Sequence, residues 1–150
     1  MKILFVFVWV AVNSLCMHAY AQTGMPEPDA LACPLATELQ VQDLFGPWRA
    51  EFSDPASGEA MSSAMLRFEQ NPEFAQSVAG TITRGDIPVR VSGDVEDGRF
   101  ALDESQDGTT ISATWSGDVV PDTCGKEIRG TWTDTIQKKE LNFVLRRLSE

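Results

Sequence analysis

GTWTDTIQKKELNFVLRR, residues Gly130 to Arg147, sets apolar residues at every second position on both sides of a short polar break. Trp132 lies on the first arm, and Leu141, Phe143 and Leu145 lie on the second. A period of two marks a half-buried strand, so the stretch reads as two antiparallel strands joined near Lys138. The same alternation recurs toward the N-terminus. Its rows are Trp48, Ala50, Phe52; Ala64, Leu66, Phe68; Val78, Gly80, Ile82; Ile87, Val89, Val91; Phe100, Leu102; Ile111, Ala113, Trp115; and Ile128, Gly130, Trp132. Gly85-Asp86, Asp97-Gly98 and Asp107-Gly108 fall between rows, as hairpin turns require.

Counted with the last arm, the rows predict eight strands and an all-β chain with one short helical turn within Ala36 to Leu44. An open sheet of this kind leaves two bare edges, and closure removes them. The expected fold is therefore an eight-stranded antiparallel up-and-down β-barrel. If the first strand starts at the bottom, the loops at Pro72, Asp94 and Pro121 to Lys126 also lie at the bottom. The loops at Pro55, Arg84 to Asp86, Gln106 and Lys138 then lie at the top. Cys124 falls at the same end as the segment carrying Cys33, which makes a Cys33–Cys124 disulfide sensible.

The first 21 residues read as a secretory leader, with Lys2, an apolar run from Ile3 to Val12, and Ala19-Tyr20-Ala21 as a cleavage pattern. The run is too short to span a membrane. Cys16 follows Asn13, Ser14 and Leu15, which lack the small residue expected before a lipidated cysteine. The expected organisation is a leader over 1–21, an N-terminal segment over 22–43 and a barrel domain over 44–150. The expected location is periplasmic or secreted, with no membrane span in the mature form.

Loss of the leader removes His18 and Tyr20, so the mature chain of 129 residues has no histidine and no tyrosine. Histidine-dependent triads and the commonest zinc sites are excluded with it. Lys2 leaves too, so eleven basic residues face twenty-two acidic ones, a net charge of −11. That field repels phosphate backbones and anionic headgroups, which argues against nucleic acid and membrane surfaces as partners. Cys33 and Cys124 are the two cysteines left, and in an oxidising compartment they read as a disulfide.

Gly46-Pro47-Trp48 opens the first strand after a helical turn, and Arg146-Arg147 ends the last. Together they resemble the signature of calycins, the lipocalins, fatty-acid-binding proteins and avidins. The Gly-Thr-Trp strand just before the last is more like the avidin arrangement. The resemblance implies a barrel whose tryptophan packs across the closed end, with a late basic residue over it. It assigns Gly46, Trp48, Arg146 and Arg147 to structure. Avidins use a tyrosine for biotin, and the mature chain has none.

Phe68, Phe100, Trp115, Trp132 and Phe143 share the inward face and are the candidate ligand-contacting wall. Inward Gly80, Gly117 and Gly130 leave space or let the sheet coil. Asp134 continues the row of Trp132 toward the mouth, beside Lys138 and Lys139, and reads as solvated. Arg84-Gly85-Asp86 spells an integrin tripeptide, yet Gly85-Asp86 is also what a tight hairpin turn requires, and a turn is expected there. Asp94, Glu96, Asp97, Asp103, Glu104 and Asp107 match no calcium-loop spacing and read as turn or outer-face residues. No catalytic residue, metal ligand or cofactor site emerges. The expected function is an exported non-enzymatic binding protein holding a small apolar ligand inside the barrel. The alternative is an inhibitor or immunity-type protein that binds an exported hydrolase through its loops or N-terminal segment.

Overall fold

The structure is a computed structural model and describes residues 33–149. The leader read over 1–21, and all of the 22–43 segment before Cys33, lie outside the described residues. Eight strands, β1 (Gly46–Ser53), β2 (Ala60–Gln70), β3 (Val78–Arg84), β4 (Ile87–Glu96), β5 (Arg99–Ser105), β6 (Ile111–Val119), β7 (Glu127–Asp134) and β8 (Glu140–Arg147), form one closed antiparallel barrel in sequence order. β1 pairs β8 with Ala50 opposite Leu145 and Phe52 opposite Phe143, which closes the wall and leaves no free edge. Two 3-10 turns, Ala36–Glu38 and Val41–Leu44, precede β1.

The turns follow the chemistry of their residues. Gly85 has φ +64°, which a tight turn into β4 needs and which glycine adopts without a Cβ clash. Three other top loops and turns are tied by an aspartate that accepts from two successive backbone N–H groups. Asp54 Oδ1 accepts from Ala56 and Ser57, Asp107 Oδ1 from Thr109 and Thr110, and Asp134 Oδ1 from Ile136 and Gln137. Those hydrogen bonds favour the ionised carboxyls and hold both Asp54 and Asp107 below the usual carboxylate range.

The inward glycines serve close approach. A Cβ on Gly130 would run into the backbone of Ser116 and Gly117. One on Gly117 would sit 2.5 Å from the Arg129 carbonyl oxygen and 2.9 Å from Phe143 Cζ. The Gly117–Gly130 pair thus lets β6 and β7 coil inward and gives the Phe143 ring its place.

The bottom is shut. Leu39, Val41 and Leu44 of the N-terminal segment are buried against the barrel, and Cys33 is bonded to Cys124 across a Cα separation of 4.5 Å. Trp48 is fully buried, and its Nε1–H donates to the Leu44 carbonyl at 2.7 Å. Arg147, opposite Trp48 in the β1–β8 register, donates to the carbonyls of Asp43 and Phe45, each at 2.6 Å. Arg146 points to the outer face, where it donates to Glu127 and Glu51. Burial pushes the Glu127 carboxyl up, but its hydrogen bonds from Arg129 and Arg146 outweigh that and leave it lowered. Of the two arginines, Arg147 alone joins the closed end.

Candidate functional site: the mouth of the barrel

Rings fill the interior from bottom to top. Trp48 meets Phe68, Phe68 meets Phe100, Phe100 meets Phe143, and Phe143 meets Trp115, with centroids 4.7–6.4 Å apart and planes tilted or edge-on. Phe52 continues the column, 5.2 Å from Trp115 and 5.9 Å from Trp132. These offset geometries suit aromatic quadrupoles and close-packed cores. The structure therefore gathers all five residues of the candidate wall but gives them different surroundings. Phe68, Phe100, Trp115 and Phe143 are at most 2% exposed and pack on one another. Trp132 stands at the top of the column and borders two depressions at the mouth.

Above the rings lies a charged cluster. Arg84 donates from Nη1 to Glu104 Oε2 at 2.7 Å and from Nη2 to Oε1 at 2.6 Å, a bidentate pair. Glu104 Oε1 also accepts from the indole N–H groups of Trp115 and Trp132, each at 2.8 Å. The carboxylate is 2% exposed yet carries four hydrogen bonds, the condition under which a buried charge is tolerated. The Arg84 guanidinium lies 5.3 Å from the centroid of the Phe52 ring and 5.1 Å from that of Trp132. These are cation–π distances.

Five strands converge on this cluster. Irregularities in strand register fall at Phe52/Ser53 and at Glu104/Ser105, beside two of its members. Bulges re-aim side chains and concentrate near functional sites.

This corrects the reading of Glu104 as a turn or outer-face acid, because it is an inward, buried acceptor at the mouth. Arg84, read only as part of a turn tripeptide, is its partner. Both continue rows already recognised: Glu104 follows Phe100 and Leu102, and Arg84 follows Gly80 and Ile82, each at the next inward position. Parity was the signal that could have found them.

The two depressions have volumes of about 210 Å³ and about 280 Å³ and share Arg84, Trp132, Asp134 and Gln137. The smaller also has Phe52, Leu141 and Lys139 on its wall. Around the mouth, Ile87, Ile111 and Ile136 are 70%, 46% and 75% exposed, each at a different top hairpin. Among the described residues, no three of His, Cys, Asp and Glu cluster as a metal site would need. No helix of the described residues is long and apolar enough to cross a membrane. The Cys33–Cys124 disulfide is compatible with a periplasmic or extracellular setting.

No family model, curated protein or solved structure matches the chain. The likeness to calycins accordingly rests at the level of architecture, a closed eight-stranded antiparallel barrel.

Proposed function

We propose that the chain is an exported, non-enzymatic binding protein that works through the open end of its barrel and holds a protein partner there. An inhibitor or immunity-type role toward an exported hydrolase belongs to this class. The observation that carries the reading is the contrast between a ring-filled interior and a mouth rimmed by three exposed isoleucines. Leu35 and Phe74 are also exposed, away from the mouth, but the three isoleucines stand on adjacent top hairpins beside a polar centre, an arrangement that protein interfaces bury. A barrel packed with side chains leaves its loops and rims as the surface for recognition.

The test compares wild type with an Ile87→Ser/Ile111→Ser/Ile136→Ser variant, both immobilised and exposed to exported proteins of the source organism. The reading expects a protein retained by the wild type and lost from the variant, with thermal unfolding little changed because all three side chains are exposed. Equal retention by both would move the contact surface elsewhere.

A second reading, a small apolar ligand contacted by the barrel wall, has in its favour that Trp132 borders both mouth depressions. It expects an apolar fluorescent probe to quench tryptophan emission in the wild type and not in Trp132→Ala. Unaltered uptake by Trp132→Ala would remove that residue from any ligand site.

A further inference from the structure

We infer that the smaller mouth depression is a pocket for the C-terminal residue of a partner polypeptide, taking a free α-carboxylate together with an apolar side chain. The inference rests on the reading of the chain as a protein-binding module and names the chemistry it would recognise.

Size comes first. At about 210 Å³ the depression lies below the roughly 300 Å³ at which small-molecule pockets begin, and it suits one residue better than a whole ligand. Its walls divide by chemistry. Phe52, Trp132 and Leu141 offer an apolar side, and Arg84, Lys139 and Asp134 offer a charged one.

The charged side has donors to spare. The pair with Glu104 uses two of the five guanidinium N–H donors of Arg84, so three remain. Glu104 is buried beneath and fixes the guanidinium by its bidentate pair, with the Phe52 and Trp132 rings both within cation–π distance, which orders those donors before any ligand arrives. Lys139 acts on the nearby Asp54 carboxylate but makes no ion pair within 4.0 Å among the described residues, so its ammonium is not locked to a partner. Two cations on one wall, one of them planar and pre-positioned, suit a carboxylate.

Asp134 supplies the complement. Its turn is held through Oδ1, which leaves Oδ2 to accept an N–H. A carboxylate, an adjacent N–H and an apolar side chain occur together in the last residue of a polypeptide. Capture of a chain terminus is a known recognition mode. The strongly acidic chain repels free anions in general, so carboxylate binding at the mouth has to come from this local arrangement.

The experiment uses the mature chain with ¹⁵N-labelled tryptophan and three probes. These are acetyl-Ala-Ala-Phe with a free carboxylate, the same peptide with a C-terminal amide, and phenylacetate. Titration of the free acid is expected to shift the Trp132 indole N–H signal. The Trp48 signal, from an indole N–H bonded to Leu44 at the closed end, stays in place. The amide should bind about tenfold more weakly, the effect of losing one charge-assisted contact of about 1.4 kcal/mol. Phenylacetate, which lacks the N–H for Asp134, should also be weaker than the peptide acid. Lys139→Gln should weaken the peptide acid several-fold and Lys139→Arg should restore it, while the unmoved Trp48 signal reports an intact fold.

Equal binding of acid and amide, or no effect of Lys139→Gln, overturns the carboxylate pocket. Phenylacetate binding as tightly as the peptide acid overturns the chain-terminus assignment in favour of small carboxylates. Silence at Trp132 up to millimolar peptide overturns the whole inference. Retention of an exported protein that depends on the three isoleucines, with no response to peptide, would sink this pocket and leave the protein-binding reading intact. A peptide response without such retention would do the reverse.

Discussion

Both ends of the barrel hold an arginine by hydrogen bonds, and they hold it differently. At the closed end Arg147 donates to two backbone carbonyls of the segment that leads into β1, and Trp48 donates to a third. The acceptors are neutral, belong to the main chain and are tied down by the N-terminal segment and its disulfide. At the open end Arg84 is held by one carboxylate and two rings, all of them side chains. The closed end is thus part of the wall, whereas the open end is finished by side chains alone. A surface finished by side chains can exchange solvent for a partner without unravelling a strand.

The largest expected effect comes from breaking the closed end. Replacing Cys33 and Cys124 by Ser opens a loop with a sequence separation of 91. In the chain-entropy treatment the loss is about 4 kcal/mol of unfolding free energy, to be read from urea titration. If the two ends are structurally independent, the Trp132 indole signal and its response to peptide survive in the folded fraction. A displaced Trp132 signal in the folded double mutant would show instead that the bottom disulfide helps to shape the mouth.

Glu104→Ala should come next, at about 3 kcal/mol. It leaves Arg84 without its counter-ion and two indole N–H groups without an acceptor, the circumstance in which removing one partner of a buried pair is costly. The figure stands at the low end of the range for buried pairs because the Arg84 side chain is 33% exposed and can turn toward water. Glu104→Gln keeps an oxygen for the indoles and should cost less than the alanine. A loss below about 1 kcal/mol for Glu104→Ala would mean that Arg84 leaves freely and that the cluster is no fixed platform.

How much of this was legible in the sequence depends on which force sets each feature. The eight strands and their ends follow from the period of two and from turn residues, because burial of one face fixes parity along the whole strand. Trp48 beside a late arginine was legible only through the resemblance to calycins, whose signature joins those two positions at the closed end. Glu104 and Arg84 were missed for the converse reason. Their residue types say surface, and only the position of each in its row says interior. Their pairing also needs strands two places apart in the barrel to reach the same height, a relation between β3 and β5 that neither row contains. The filling of the interior was likewise out of reach, since whether rings leave a hollow depends on tilt and contact at the level of about half an ångström.

Asp107 offers the mildest change and the finest probe of the open end. Its carboxyl accepts the N–H groups of Thr109 and Thr110 and the Thr110 hydroxyl, and these hold its pKa well below the usual range. A group with a lowered folded pKa contributes stability that is present above its ordinary pKa, about 4, and is lost as pH falls through the folded value. Asn in its place keeps an acceptor oxygen but carries no charge to lose. Asp107→Asn should therefore be slightly less stable than wild type at neutral pH, and the gap should close as the solution is acidified below about pH 4. Thermal unfolding followed from pH 6 to pH 2 measures that gap. A difference that stays constant over this range would assign the turn's stability to geometry alone, and would show that the ionised carboxylate contributes nothing to the top loops beyond its place as an acceptor.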